Sequence, residues 1–284
     1  MSYTKISRRK RGNVMKIRVL IDNIAKDELV GEWGLAVYIE YNDKKFLLDT
    51  GTTGIFTENA QKMGIDLAEI DYGVLSHAHY DHANGMPAFF EKNKKALFHL
   101  RSCCKENCYR QKKVFHKYIG IEKGLLKKYS NRIRYVDGDY EIMPGAYLIP
   151  HKTPGLEKIG VQARMKIKKT FRWETDKFDH EQSLVFETEK GLVIFNSCSH
   201  GGADNIIREV SETFPDKKIC ALIGGLHLFR LKDEDVLDMA NRIRETGIKK
   251  VVTGHCTGDR AYEILKRELD DVVEQIHSGL YIEI

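Results

Sequence analysis

What this chain lacks narrows its class first. Its longest apolar runs, such as Cys220–Gly225, fall far short of the ~20 residues needed to cross a bilayer, so no membrane span is expected. Met1–Lys16 carries Lys5, Arg8, Arg9, Lys10 and Arg11 with no apolar stretch behind them, so no export signal is expected and the location expected is cytoplasmic. Six cysteines without such a signal point to a reducing compartment, where they act as thiols or ligands and not as disulfides. A paired Cys-Xaa-Xaa-Cys unit is also missing. The tightest group, Cys103, Cys104 and Cys108 between His99 and His116, lacks the spacing of a structural zinc site. It reads as unligated thiols in a helical insertion, with one helix predicted over Cys104–Lys117. Strong charge of one sign is absent too. The formal net charge of +5 is mild, which fits a small anionic substrate better than nucleic acid.

What is present suits a packed globular protein. An apolar fraction of 42% in 284 residues allows a sizeable core without disulfide staples. Residues 1–14 read as a basic, disordered N-terminal extension, and Met15 opens a clean strand pattern over Lys16–Asp22.

Two segments then repeat one structural sentence. The strand Lys45–Leu48 ends in Asp49-Thr50-Gly51, and a helix near Ile55–Met63 leads to the strand Tyr72–Ser76, which stops at His77. The strand Leu192–Phe195 ends in Asn196-Ser197-Cys198-Ser199-His200, and a helix around Asn205–Thr213 leads to the strand Cys220–Ile223, which stops at Gly224-Gly225-Leu226-His227. Asp49 to His77 is 28 positions and Cys198 to His227 is 29. A third, shorter unit runs Lys250–Thr253, Gly254-His255-Cys256-Thr257-Gly258, then a helix over Arg260–Leu269. In α/β sheets, ligand sites gather at the carboxyl ends of strands, so two related halves facing one site are expected. Leu97–Asp179, rich in cations and aromatics, reads as an insertion covering that site.

The densest chemistry is His77-Ala78-His79-Tyr80-Asp81-His82, four metal-competent side chains in six residues. In extended chain just after a strand, residues two apart face the same way, so His77 and His79 can grip one ion. Where the chain turns into a predicted helix over His82–Glu91, Asp81 and His82 reach a neighbouring ion. Imidazoles with a carboxylate suit zinc, and also iron or manganese.

With this motif on the page, the sequence resembles the metallo-β-lactamase superfamily from about Met15 to Ile284. The phrases Leu48-Asp49-Thr50-Gly51, Asn196–Gly201, Gly224–Leu228 and Gly254–Gly258 resemble one branch of it. That branch is labelled 7,8-dihydropterin-6-methyl-4-(β-D-ribofuranosyl)aminobenzene-5′-phosphate synthase-like, or dihydropteroate-synthase-like.

The resemblance implies an α/β fold, an αββα sandwich of two facing mixed sheets flanked by helices, as a single domain over 15–284. It implies two divalent ions, zinc foremost. His77, His79 and His200 would hold one ion, and Asp81, His82 and His255 the other. Many relatives have a bridging aspartate where this chain has Cys198, so Cys198 as thiolate ligand, or an approach by Asp204, stays open. Asp49 is expected to orient His77 or His79. His227 could be a ligand, a proton donor or a clamp on an anion. His151 is left outside the metal set, and Glu181 and Gln182 are expected to orient loops or ligands.

The activity implied is a metal-dependent hydrolase using a metal-bound hydroxide on a small anionic ester or phosphodiester, pterin-like or nucleotide-like, with Asp81 and His227 catalytic. The alternatives are a mononuclear iron oxidoreductase of the same fold and a metal-containing protein that binds without turnover.

Overall fold

The computed structural model describes residues 14–284, so nearly all of the expected basic extension lies outside the described residues. The first half runs through β1 (Lys16–Ile21), β2 (Ala36–Tyr41), β3 (Lys44–Leu48), α1 (Ile55–Lys62), β4 (Tyr72–Val74), α2 (Tyr80–Ala83), α3 (Met86–Lys92) and β5 (Leu97–Arg101). A middle stretch holds β6 (Cys108–Gln111), β7 (His116–Tyr118), α4 (Leu125–Lys128), β8 (Ile133–Val136), β9 (Tyr140–Met143), β10 (Ala146–Pro150), α5 (Glu157–Ala163), β11 (Met165–Lys168) and β12 (Trp173–Thr175). The second half has β13 (Gln182–Thr188), β14 (Gly191–Phe195), α6 (Ala203–Thr213), β15 (Ile219–Ile223), α7 (Asp233–Glu245), β16 (Val251–Thr253), α8 (Asp259–Leu269), β17 (Val273–Gln275) and β18 (Tyr281–Glu283).

Two seven-stranded sheets result, in the orders β18-β1-β2-β3-β4-β5-β8 and β9-β10-β13-β14-β15-β16-β17. Each is antiparallel through its first four strands and parallel through the rest. The repeat read from strand spacing is therefore a repeat of topology, with β3-α1-β4 matching β14-α6-β15. The fold is a metallo-β-lactamase-like αββα sandwich.

Side-chain alternation explains the layers. Phe46, Leu48, Val193, Phe195, Ala221 and Ile223 point into the seam between the sheets. Leu47 points outward onto Phe56 and Phe89, from α1 and α3. On the other sheet Ile194 and Leu222 point outward onto Ile206, Ala240 and Leu265, from α6, α7 and α8. Continuous apolar strands are thus covered on both faces, with helices outside. Among the described residues no helix is long and apolar enough to cross a membrane.

Three sequence expectations are corrected. Cys104–Lys117 is not a helix: β6 and β7 pair as an antiparallel hairpin, with Arg110 opposite Lys117. Its other partner is β11, some 55 residues further on, a pairing that no local window contains. The helix over His82–Glu91 is broken into α2 and α3 at Asn84-Gly85. Gly85 packs against the Thr50 carbonyl so closely that a Cβ would lie 2.0 Å from it. Leu97–Asp179 is not one inserted unit, since β5 and β8 complete the first sheet and β9 and β10 the second. Only β12-β11-β6-β7 form a separate small sheet. It leans on the motif loop through the Tyr80 N–H, which donates to Ile119 O at 3.0 Å.

Candidate metal centre

The chemistry-bearing residues lie just beyond the carboxyl ends of the central parallel strands. Asp49 follows β3, His77 follows β4, Cys198 and His200 follow β14, His227 follows β15 and His255 follows β16. Asp49, Ser199, His227 and His255 all hold positive φ, between 49° and 60°. Side-chain-bearing residues adopt this left-handed conformation at a cost, and its concentration at four strand ends marks where the backbone is bent to aim side chains inward. Gly224 makes a related sacrifice. Its φ is 141°, and a Cβ there would sit 1.9 Å from the Asn196 carbonyl.

One wall is hung on Asp49. Its Oδ2 accepts from His82 Nδ1 at 2.7 Å and from the Ser76 hydroxyl at 2.7 Å, while Oδ1 accepts from the Ser76 N–H at 2.7 Å. With its proton on Asp49, Ser76 Oγ accepts from His77 Nδ1 at 2.8 Å. Both imidazoles are thereby fixed with Nδ1 as the donor and Nε2 left to face the site. The expectation that Asp49 orients His77 or His79 is sharpened: it holds His82 directly and His77 through Ser76. Behind the same loop, His180 Nδ1 accepts from the Ala78 N–H at 3.2 Å, and Asp176 sits 3.1 Å from His180 Nε2.

The other wall is hung on Glu181. It accepts from His200 Nδ1, from the His200 N–H at 3.0 Å and from His151 Nε2 at 2.9 Å. His151 is gripped on its far side by Glu209, 3.1 Å from Nδ1. Burial alone pulls the His151 imidazole down, but hydrogen bonds to the two glutamates outweigh it and carry its pKa up to about 10. A buried imidazolium between two carboxylates has no lone pair to offer, which keeps His151 out of the metal set. Gln182 ties the walls together, its amide donating to Leu75 O at 2.9 Å and His99 O at 3.1 Å.

Between the walls, His77, His79 and His200 bring one ring nitrogen each to within 4.8 Å of one another. The Nε2 atoms of His77, His79, His200 and His255 are buried without any hydrogen-bond partner. Unpaired buried polar atoms are costly, and three of them, on His77, His79 and His200, brought together are what a cation site requires. Burial, reinforced by neighbouring imidazoles, holds His77, His79 and His255 well below the ordinary histidine pKa, as unprotonated ligands should be.

The second grouping is looser. Asp81 Oδ2 lies 3.6 Å from His255 Nε2, and Asp81 Oδ1 lies 4.0 Å from His82 Nε2. Asp81 is also steadied by the Trp33 indole N–H at 2.7 Å, and His255 Nδ1 faces Asn23 Oδ1 at 3.2 Å. Cys198 Sγ is 3.3 Å from His82 Nε2 and 3.3 Å from Cys256 Sγ. Burial pushes the Cys198 thiol well above its usual range. Asp204 does not approach, pairing instead with Arg208 and Arg242 at 3.8 Å each. His227 stands beside His200 with ring centroids 4.5 Å apart and a buried, unpartnered Nδ1.

Sequence reasoning missed Ser76, Trp33, Asn23, Asp176, His180 and the contact of Cys256 with Cys198. Ser76 had a signal, since it directly precedes His77 at a strand end. Trp33 and Asn23 lie far from the motif in the chain and had none.

An αββα sandwich carrying histidines, a carboxylate and a thiol across its strand ends defines a metal-site class. The chain belongs to the metallo-β-lactamase superfamily, whose profile matches residues 34–255. It is 27% identical over 264 residues to the 7,8-dihydropterin-6-methyl-4-(β-D-ribofuranosyl)-aminobenzene-5′-phosphate synthase of Methanocaldococcus jannaschii, covering 88% of this chain and 89% of that one. An uncharacterized protein of the same organism is 26% identical over 265 residues, covering 86% of this chain and 91% of that one. The crystal structure of Tm1679, described as a metal-dependent hydrolase of the β-lactamase superfamily, is 30% identical with a TM-score of 0.80, covering 95% of this chain and 99% of that one.

Proposed function

We propose that this chain is a metal-dependent hydrolase of a small anionic ester or phosphodiester, pterin-like or nucleotide-like. The observation that carries the reading is the convergence of ring nitrogens from His77, His79 and His200, whose Nε2 atoms are buried without a partner, with His255 Nε2 likewise unpartnered by hydrogen bond beside Asp81. On it we assign His77, His79 and His200 as the residues that would hold one divalent ion, and Asp81, His82 and His255 as those that would hold a second, with Cys198 adjoining both groups of side chains. Zinc fits the donor set best. Such ions supply Lewis acidity toward an ester or phosphoryl oxygen and make water acidic enough to attack near neutral pH.

The chain's own residues do the rest. Asp49 and Glu181 fix the imidazole tautomers, and Asp81, steadied by Trp33, is placed to accept a proton from water. His227 is held well below its ordinary pKa, first by burial and then by His200, so it is a neutral imidazole. In that form it serves as a hydrogen-bonding clamp on a substrate oxygen. The description of Tm1679 supports hydrolysis. The name of the M. jannaschii relative favours a second reading, a pterin-pathway step on the same site.

Metal analysis of protein purified without added metal, paired with bis-p-nitrophenyl phosphate turnover, separates the outcomes. Two zinc or manganese ions with turnover are expected. One iron with oxygen consumption sinks hydrolysis, and full metal without turnover on ester, lactone and phosphodiester panels favours a binding protein. His79→Ala should lose metal and at least ~100-fold of the turnover together. Unchanged metal content in that variant refutes the ligand assignment.

A further inference from the structure

Beside the metal centre lies a concentration of positive charge that the reaction centre does not use. Arg110 and Lys112 come from β6 and the turn after it, Lys117 from β7, Arg164 from the residue capping α5, and Arg230 from the loop before α7. Two adjoining cavities share Arg110, Lys112, Arg230, His200 and His227 in their walls. One, of about 290 Å³, opens on His79, Asp81 and Cys198. The other, of about 400 Å³, continues past Arg164 to Gln162 and Asn205, and no aspartate or glutamate lines it.

None of the five cations makes an ion pair or side-chain hydrogen bond with a carboxylate among the described residues. In the β11–β12 turn of the same small sheet, by contrast, Glu174 takes Lys169 at 3.0 Å and Arg172 at 2.6 Å. What sets the cavity side apart is that three arginines gather there without a carboxylate. This charge is also unfavourable for the fold. Arg110 stands directly opposite Lys117 across the β6–β7 ladder, an arrangement in which like charges repel. Burial and then Arg230 and Arg164 pull the Arg110 pKa down, and Arg110 itself is the main cause that lowers Lys112. A sheet that tolerates such repulsion next to a cavity is built for a ligand that cancels it.

We infer that Arg110, Arg164 and Arg230, supported by Lys112 and Lys117, form a subsite for a phosphate monoester carried by the substrate away from the bond that reacts at the metal centre. Guanidinium forks match the tetrahedral, dianionic phosphoryl group better than they match a single carboxylate. The apolar part of the larger cavity, Ile159, Leu226 and Leu231, then covers the body of the substrate between the two ends. The inference rests on the hydrolase reading only for which end reacts.

The test uses metal-loaded protein and two probes that differ in charge, phenylphosphonate as a dianion above neutral pH and benzenesulfonate as a monoanion, with affinity measured by calorimetry. The Arg110→Gln/Arg230→Gln double variant should bind phenylphosphonate at least ~10-fold more weakly while keeping its metal content. Benzenesulfonate affinity should fall much less, and Lys169→Gln, on the same small sheet but outside the cavity, should change neither. Phenylphosphonate affinity within twofold of the parent in the double variant overturns the subsite, because the metals alone would then hold the anion. Equal losses for both probes overturn it as well, since they report only general charge. Absence of bis-p-nitrophenyl phosphate turnover with the phosphonate selectivity intact would remove the hydrolase reading and leave the subsite standing.

Discussion

The two walls of the site solve one problem, holding imidazoles with a lone pair facing inward, and they balance the charge of doing so differently. On the first wall Asp49 holds His82 and, through Ser76, His77, and among the described residues it pairs with no lysine or arginine. On the second wall Glu181 holds His200 but also touches His151, whose raised pKa makes it a buried cation. The negative charge of Asp49 is balanced through an imidazole that is itself a candidate ligand, His82, whose pKa burial lowers but Asp49 raises, whereas that of Glu181 is balanced by His151, which is not one. The first wall is built around the metal, and the second would stand without it.

The comparison breaks most visibly at Asp49. Asp49→Asn removes the charged acceptor behind two candidate ligands at once, and metal affinity should fall about 100-fold, the upper end for losing an anchoring carboxylate. Chelator competition followed by metal analysis reads this directly. Affinity equal to the parent's would mean that the Asp49–Ser76–His77 relay does not tune the centre.

Glu181→Gln should act on both properties. Metal affinity is expected to drop about 10-fold, through His200 alone. Stability should fall by about 3 kcal/mol in urea unfolding, because His151 would keep its charge with one partner fewer. A loss of metal affinity with stability untouched would erase the distinction between the walls.

How much of this was legible from the chain follows from where each interaction lies. The strand–helix–strand repeat was readable because its signals, apolar runs of strand length closed by Asp49-Thr50-Gly51 or Asn196–His200, are local. The motif His77–His82 was readable for the same reason, and the structure brings its members together with His200 and His255. The partners that set tautomers were not readable. Asn23 meets His255 across 232 positions, and Trp33 meets Asp81 across 48. The β6–β11 pairing joins segments that are far apart, and aromatic, cation-rich sequence such as Tyr109–Lys117 does not declare its partner. That is why a hairpin was read as a helix, and why the cations it brings to the cavity, Arg110, Lys112 and Lys117, went unnoticed.

His151 offers a pH test of the second wall. Its folded pKa, about 10, lies above the ordinary 6.5, so the folded state favours the protonated form. The stabilisation is complete below the unfolded pKa and fades as pH rises through the folded one. His151→Gln should therefore cost about 2–3 kcal/mol at pH 6, with the gap to the parent shrinking steadily toward pH 10. Chemical denaturation across that range measures it. A gap that widens with pH would show His151 to be neutral and Glu181 to lack its counter-charge.

The smallest effect sharpens the boundary between the walls, at the sulfur pair. Cys198 and Cys256 are both buried, with Sγ atoms 3.3 Å apart; Cys198 contacts a candidate ligand directly, His82 Nε2 at 3.3 Å, whereas Cys256 lies only within 4.8 Å of His255. Cys256 Sγ instead accepts from the His227 N–H at 3.3 Å, a contact that shapes the loop and not the ligand set. Removing Cys256 takes away a neighbour that favours the neutral form of Cys198 and leaves the donors around the centre in place. Cys256→Ala should therefore change the affinity of the more weakly held ion by no more than about twofold, within the range of a lost packing contact. Stoichiometric metal titration of that variant decides the point. A loss of one full equivalent would move Cys256 from neighbour to ligand, and the second wall would then depend on the metal as much as the first.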